Sequence, residues 1–241
     1  MDIAYHRNKF VERHFDRVID VWGADHHGHA IRFGNTMKAP ALGLEGRNLD
    51  FLIMQMVRLV RGDEVVKVSK RTGKALTLAD LMDEIGVDAC RFFFNAKPDT
   101  HLEFDLDLAV REDSENPVYY VQYAHARICT LVQALAEAGH AVPPVAEVNV
   151  ELLSTEQEVE LIKQISALPE EIRSAARDYD PSRINRYVIE LAARFHRFYN
   201  ACRIKGEADD VLNARLKLAD ITRQVIAICL DIIGVSAPEK M

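Results

Sequence analysis

The feature that most constrains the fold is the second half of the chain, where apolar residues recur at helical spacing from Asn116 to the C-terminus. Three signals separate the helices: a linker at residues 139–144, a capping box of Ser154 with Gln157, and the N-cap pair Asp180-Pro181. A last helix is predicted from about Asp210 to Ile233. Four long amphipathic helices joined by short loops predict a helical bundle.

The first third of the chain shows a strand–helix–strand rhythm instead. Residues 17–22 and 51–57 are short runs of β-branched and apolar side chains, which predict two buried parallel strands. A helix predicted over residues 25–42 would cross between them, so ligands would bind at the carboxyl ends of the strands. Two short helices are predicted next, the first capped by Thr77 and the second by Asp88. The fold class is therefore α/β followed by all-α.

Composition limits the kinds of molecule that this chain is expected to bind. The net charge is −7 over 241 residues, so nucleic-acid binding would need local patches rather than overall charge. No apolar run has the length of a membrane span and no secretory signal is recognisable, which predicts a cytoplasmic protein with no membrane partner. The four cysteines are far apart, and we expect buried free thiols rather than disulfides or metal ligands.

A basic segment follows the second predicted strand. Residues 67–74 carry four cations together with Ser69 and Gly73. Such a loop repels itself unless an anion is bound, and lysine ammonium groups bind phosphate oxygens, so a polyphosphate site is one interpretation. A solvated basic hairpin is the other, and charge alone does not separate the two.

A second candidate site lies directly after the first strand, in Gly-Ala-Asp-His-His-Gly-His at residues 23–29. Gly23 permits a ligand to approach the backbone closely, and Asp25 can accept hydrogen bonds from a ribose. The three histidines suggest metal binding, but adjacent histidines rarely reach one ion and no cysteine or glutamate lies at ligand spacing, so we expect no metal. Histidines that only hydrogen-bond at a strand-to-helix turn are the alternative to a substrate role.

Together these segments resemble one family. GADHHGH, VKVSKRTGKALTLADL, GVDACRFFF, FDLDLA and ENPVYYVQYAHARI look like the C-terminal part of bacterial arginyl-tRNA synthetases, and the resemblance covers essentially the whole chain. It implies a class I synthetase, which activates arginine with ATP and then esterifies it to tRNA. The implied organisation is part of a Rossmann-type catalytic domain at residues 1–76, a connector at 77–113 and a helical anticodon-binding domain at 114–241.

The resemblance also implies roles for residues near ATP. The basic loop of the family reads K-M-S-K-R, and Val68 stands here in place of the methionine. The residues implied to bind ATP are Gly23, Asp25, His27, Val68 and Lys70, and those implied in catalysis are Lys67, Ser69 and Lys70. The lysines would stabilise the negative charge that develops on the polyphosphate. ATP would enter as a substrate with Mg²⁺, and no tightly bound cofactor is expected.

Arginine and tRNA would bind elsewhere on the chain. Asp2 and His26 match positions that face the arginine substrate, where a carboxylate can hold the guanidinium, although Asp2 could equally be disordered. The residues implied to bind tRNA are Tyr120, Tyr123, Arg127 and Met241. Tyrosine rings one helical turn apart could stack on unpaired anticodon-loop bases, and packing in a core or interface is the alternative.

One predicted helix of the bundle carries an unusual number of cations. They are Arg183, Arg186, Arg194, Arg197 and Arg203. A row that binds the RNA backbone and an ordinary solvated face are equally open interpretations. On the same helix, Tyr187, Phe195 and Tyr199 are expected to be core residues rather than a surface for RNA bases.

One motif of the family is missing. H-I-G-H, the first phosphate motif of class I synthetases, does not occur in this sequence. We therefore expect little activity from this chain alone, and half of a parallel sheet with an uncovered apolar face. Three interpretations stay open: part of an arginyl-tRNA synthetase, a non-catalytic tRNA-binding module, or a subunit that a separate N-terminal chain completes.

Overall fold

A computed structural model describes residues 1–62, 64–66, 76–96 and 102–241. Its contacts divide the chain into two units. The N-terminal unit comprises the described residues up to Arg58 with residues 102–103, and the helical unit comprises the described residues from Leu59 to Ala96 and from Phe104 to Met241. The basic segment at residues 67–74 lies outside the described residues.

The N-terminal unit has the predicted strand–helix–strand order. Helix α1 (Asp2–Arg7) continues into a π-helical turn (Asn8–Glu12), and β1 (Arg17–Gly23) follows. After a 3-10 turn (Ala24–His26), α2 (His27–Met37) leads to β2 (Asn48–Met54), which pairs parallel with β1. The parallel crossover is therefore confirmed. Helix α2 ends before the predicted Leu42 because Pro40, which has no N–H to donate, begins a separate 3-10 turn.

The two faces of β1 differ in burial. Val18 and Asp20 are buried, and Val18 packs in a core with Phe10 and Phe33. Ile19 and Val21 point to the opposite face and are exposed. The prediction of a strand buried on both faces is wrong for β1, whereas the expected uncovered apolar face is present among the described residues.

The second predicted strand has different bounds. It ends at Met54, and Val57 begins a new strand, β3 (Val57–Arg61), which turns at Gly62 into the antiparallel β4 (Glu64–Val65). The break before β3 was missed because the apolar run continues across it without glycine or proline to mark it. Strand β5 (Leu102–Asp105) completes a sheet of order β4–β3–β5.

The short helices of the connector begin close to their predicted positions. Thr77 and Asp80 form a reciprocal capping box for α3 (Leu78–Ile85), which confirms the first cap. Helix α4 (Val87–Ala96) begins two residues earlier than a cap at Asp88 predicts, so Asp88 lies inside its first turn and is not its cap. The reason is Gly86, whose φ of 83° ends α3 and lets the chain enter α4 at once. Asp105 caps the short α5 (Leu106–Ala109).

The helical bundle is confirmed. Its four long helices are α6 (Pro117–Glu137), α7 (Glu156–Asp178), α8 (Ser182–Ala201) and α9 (Asp209–Ile232). Asn116 caps α6 through the N–H of Val118, and α9 is followed by Gly234 in the left-handed region. Tyr187 and Phe195 are buried in the core, as expected, and Tyr199 is half-buried. The four cysteines are free.

Two caps in the bundle are shifted by one residue. Thr155 with Glu158, not Ser154 with Gln157, forms the capping box of α7. Glu158 is selected because its buried carboxylate also lies 2.7 Å from Nε of Arg215 on α9, a contact that local sequence does not reveal. At α8 the helix begins at Ser182 rather than Pro181, although Asp180 still accepts the Ser182 N–H at 3.0 Å.

Candidate functional sites

A cavity of about 460 Å³ opens on the helical unit between α6 and α8. It brings together the predicted Tyr120, Tyr123 and Arg127, all from α6. The remaining lining residues are Ser114, Tyr119, His196 and Asn200. The predicted residues therefore share one concave surface, and the alternative of purely internal packing does not hold for Tyr123, which is exposed.

The rings of this pocket are arranged for stacking. Tyr119 and Tyr123 lie parallel, with centroids 6.1 Å apart and an interplanar angle of 8°. His196 contacts Tyr120 at 5.1 Å and Tyr123 at 6.3 Å between centroids. Sequence reasoning missed Tyr119 and His196. The four-residue spacing of Tyr119 and Tyr123 was an available signal, whereas nothing local places His196 beside them.

Burial shifts the pKa of two of the rings in the pocket. Burial lowers the pKa of His196, and the nearby Arg127 guanidinium lowers it further, so the imidazole is neutral at neutral pH. Burial also raises the pKa of Tyr120, which keeps its hydroxyl protonated. His196 and Tyr120 thus present neutral rings that can donate and accept hydrogen bonds.

Arg127 differs from the arginines of α8. Its guanidinium lies 4.4 Å from the centre of the Tyr199 ring, and among the described residues it pairs with no carboxylate. On α8, Arg183 pairs with Asp178 at 3.2 Å and Arg194 with Glu160 at 2.7 Å. Arg186 and Arg197 pair likewise with Asp180 and Glu190. Arg203 lies beyond the end of α8, contrary to the prediction, and donates to the Lys205 carbonyl. The row on α8 is therefore occupied by contacts within the chain, and Arg127 is the available cation of the pocket.

A second cavity, of about 500 Å³, lies in the N-terminal unit. It brings together the predicted Asp2 and His26, and its other lining residues are Tyr5, His6, Lys9, Asp20, Trp22 and His29. Asp2 is the first residue of α1, and its carboxylate lies 3.4 Å from Nε2 of His29.

A buried polar cluster forms the floor of this cavity. The Asp20 carboxylate on β1 lies 2.6 Å from Nε2 of His6 and 3.3 Å from Nζ of Lys9. Nδ1 of His6 donates to the carbonyl oxygen of Asp2 at 2.8 Å. Sequence reasoning missed all three residues, because Asp20 reads as one polar position within an apolar strand.

The turn after β1 has little room around its glycine. A Cβ on Gly23 would lie 2.7 Å from Oδ1 of Asp25, so a larger residue would displace that carboxylate. Asp25, His26 and His27 are all exposed at this turn, and Oδ2 of Asp25 lies 3.5 Å from Nε2 of His26. In the described part of the chain, no three His, Cys, Asp or Glu side chains converge as metal ligands.

The other predicted site residues are four in the basic segment and the methionine at position 241. Lys67, Val68, Ser69 and Lys70 lie outside the described residues. Met241 is exposed at the end of the chain. Within the described ranges, no helix combines the length and apolarity that a membrane crossing requires.

Comparison with known proteins identifies the family of this chain and several similar proteins. Residues 121–241 match the DALR anticodon binding domain, and the chain belongs to that family. Arginine–tRNA ligases from Acetivibrio thermocellus and Ruminiclostridium cellulolyticum are 53% and 50% identical to the whole chain. The chain spans 42% of the length of each, corresponding to their C-terminal part.

A solved structure shows the same fold. A Campylobacter jejuni protein described as an arginyl-tRNA synthetase superposes on the whole chain with a TM-score of 0.86 at 37% identity. The matched region is 51% of that protein. The similarity therefore covers the N-terminal unit as well as the anticodon-binding domain, and the fold class predicted from the sequence is confirmed.

Proposed function

We propose that this chain serves an arginine–tRNA ligase, binding tRNA through its helical unit and arginine with ATP through its N-terminal unit. The observation that supports this best is Arg127, a cation in an aromatic pocket of an anticodon-binding domain that pairs with no carboxylate among the described residues. The names of the relatives supply the amino acid and the reaction. The pocket supplies a chemical reason for RNA to bind here.

Different residues of the pocket are suited to different parts of an anticodon loop. The parallel Tyr119 and Tyr123 rings offer a surface on which an unpaired base can stack. Arg127, held over Tyr199, can pair with a phosphate or a base edge without first breaking an internal ion pair. Tyr120 contributes a protonated hydroxyl and a ring. Met241, exposed at the C-terminus, would add a further contact.

The N-terminal unit would hold the small substrates. The Asp2 carboxylate would bind the arginine guanidinium, with His26 across the same cavity. Gly23 and Asp25 would approach the ribose of ATP, and His27 would lie at the start of α2 beside the nucleotide. Lys67, Val68, Ser69 and Lys70 would bind the polyphosphate and its Mg²⁺. Those last residues rest on sequence resemblance alone.

The tRNA-binding half of the proposal is tested with this chain by itself. Fluorescence anisotropy with a labelled arginine-tRNA transcript compares wild type with Tyr120→Ala, Tyr123→Ala and Arg127→Met. We expect each change to weaken binding by about tenfold, and loss of Arg127 to reduce the salt dependence. Arg197→Met is the matched control, because Arg197 already pairs with Glu190. Equal loss for Arg127→Met and Arg197→Met would contradict the pocket as the binding site.

The ligase half needs the N-terminal portion of a relative supplied as a separate chain. ATP–pyrophosphate exchange is measured with arginine and tRNA present, for this chain alone and for the pair. We expect exchange only from the pair, and its loss with Lys70→Ala. An inactive pair that still binds tRNA would instead favour a non-catalytic tRNA-binding module.

A further inference from the structure

A buried polar cluster joins helix α1 and the turn after it to strand β1, beneath the cavity of the N-terminal unit. Here His6, Lys9 and Asp20 are called the α1–β1 cluster. Each carboxylate oxygen of Asp20 has a partner of its own, since Oδ2 lies 2.6 Å from Nε2 of His6 and Oδ1 lies 3.3 Å from Nζ of Lys9. Asp20 lies in the middle of β1, which pairs with β2 along all seven of its residues. The strand is therefore a fixed base for the cluster.

His6 connects this base to the first residue of α1. Its other ring nitrogen, Nδ1, donates to the carbonyl oxygen of Asp2 at 2.8 Å. The His6 ring is buried and packs edge-on against Phe33 of α2, with the two ring centroids 4.8 Å apart. Because both ring nitrogens are engaged in hydrogen bonds, the imidazole is arranged to fix α1 in place and not to exchange a proton with a bound substrate.

The Asp2 side chain depends on this support because its own contacts are weak. Its carboxylate side chain is 58% exposed, and its ion-pair partner among the described residues is Nε2 of His29, at 3.4 Å. Helix α1 has six residues, and no described side chain caps its start. A helix of that length is not stable by itself. The position of the Asp2 carboxylate is therefore set by how α1 is held, and only weakly by packing of the side chain itself.

We propose that His6 and Asp20 are positioning residues for arginine binding, which hold α1 against β1 so that the Asp2 carboxylate meets the guanidinium in the cavity. This inference rests on the proposed binding of arginine by Asp2. A cluster that only joined α1 to β1 would gain little from charge, because buried ion pairs add little stability over apolar side chains of similar volume. Hydrogen bonds between charged groups do fix one geometry, and the cluster lines the same cavity as Asp2.

The test uses Trp22, the only tryptophan of the chain, which also lines this cavity. Its fluorescence is titrated with L-arginine and with L-citrulline, whose urea group has the shape of a guanidinium without the charge. We expect His6→Phe to raise the Kd for arginine about tenfold and to leave the Kd for citrulline unchanged, since an uncharged ligand gains little from the Asp2 carboxylate. Val18→Ala is the matched control, because Val18 is buried on the same strand and packs in the core, and it should change neither Kd.

A double-mutant cycle shows whether His6 acts through Asp2. The Kd for L-arginine is measured for wild type, His6→Phe, Asp2→Asn and the combination. We expect His6→Phe to have no further effect once the Asp2 carboxylate has been removed. If His6→Phe unfolds the N-terminal unit, Asp20→Asn replaces it in the same cycle, because that change keeps the size of the side chain and removes its charge.

The outcomes separate the inference from the function it rests on. Additive losses in the cycle, an equal loss of affinity for arginine and citrulline, or no loss at all in a chain that binds arginine would overturn the positioning role alone. A wild-type chain that binds no arginine, by fluorescence or by calorimetry, would overturn the proposed arginine site and the inference with it.

Discussion

The two units bury their apolar side chains to different extents. In the helical unit, Phe195 and Phe198 have no exposed surface, because helices pack around them from several sides. In the N-terminal unit, β1 buries one face only, and Val21 on the other face is 60% exposed. The bundle thus buries its apolar side chains within itself, whereas the described two-stranded sheet leaves an apolar face in water. Stability is therefore expected to be concentrated in the helical unit.

The largest effect is expected from a core residue of the bundle. Phe195→Ala should lower the free energy of unfolding of the helical unit by about 3–5 kcal/mol, through lost burial and the cavity left behind. Val21→Ala should change the free energy of unfolding of the N-terminal unit by less than about 0.5 kcal/mol, because that side chain is already in water. Urea unfolding followed by far-ultraviolet circular dichroism measures both. Similar costs for the two variants would show that β1 is covered in solution.

The next largest effect concerns the buried ion pair of the bundle. Glu158→Gln removes the buried carboxylate 2.7 Å from Arg215, leaves that guanidinium only the longer contact to Glu207 at 3.7 Å, and should cost about 3 kcal/mol. Burial alone would raise the pKa of Glu158, but hydrogen bonds from Thr155 and Arg215 outweigh it and the pKa is lowered from 4.5. The stabilisation is therefore present above about pH 4.5 and is lost as the pH falls through the folded-state pKa. A wild-type advantage that persists unchanged into strong acid would contradict this assignment.

The sequence predicted those features that depend on neighbouring residues. The start of α6 was predicted near Asn116 because apolar residues begin to recur at helical spacing there, which is a local pattern. Tyr120, Tyr123 and Arg127 could be assigned to one surface because a single helix carries them. The overall fold class and the parallel crossover were also predicted, because they too follow from patterns of neighbouring residues.

Features that depend on distant residues were missed. The choice between Ser154 and Thr155 as the cap of α7 is decided by Arg215, which lies on another helix. His196 reaches the tyrosines only because α8 packs beside α6, and periodicity does not show which helices pair. The burial of Asp20 likewise depends on His6 and Lys9, which a strand pattern does not reveal.

A smaller effect is expected from the buried cluster of the N-terminal unit. Asp20→Asn removes the charge that faces His6 and Lys9, but the neighbouring cavity admits water, so we expect a local loss of about 1–3 kcal/mol. Hydrogen exchange should quicken in β1 and leave the bundle unchanged. Faster exchange throughout α6–α9 would show that the two units unfold together. Asp50→Asn, on the neighbouring β2, is the control for loss of a more exposed strand carboxylate.

The smallest effect is expected from His196 and depends on pH. Its pKa is lowered from 6.5 by burial and by Arg127, so the unfolded chain binds the proton more readily than the folded one. Stability should therefore fall as the pH drops through 6.5 towards the folded-state pKa. His196→Phe keeps a ring beside Tyr120 and cannot titrate. The thermal midpoint of wild type relative to this variant, measured without RNA, should decline between neutral and mildly acidic pH, and a constant difference would show that the imidazole already reaches solvent in the folded pocket.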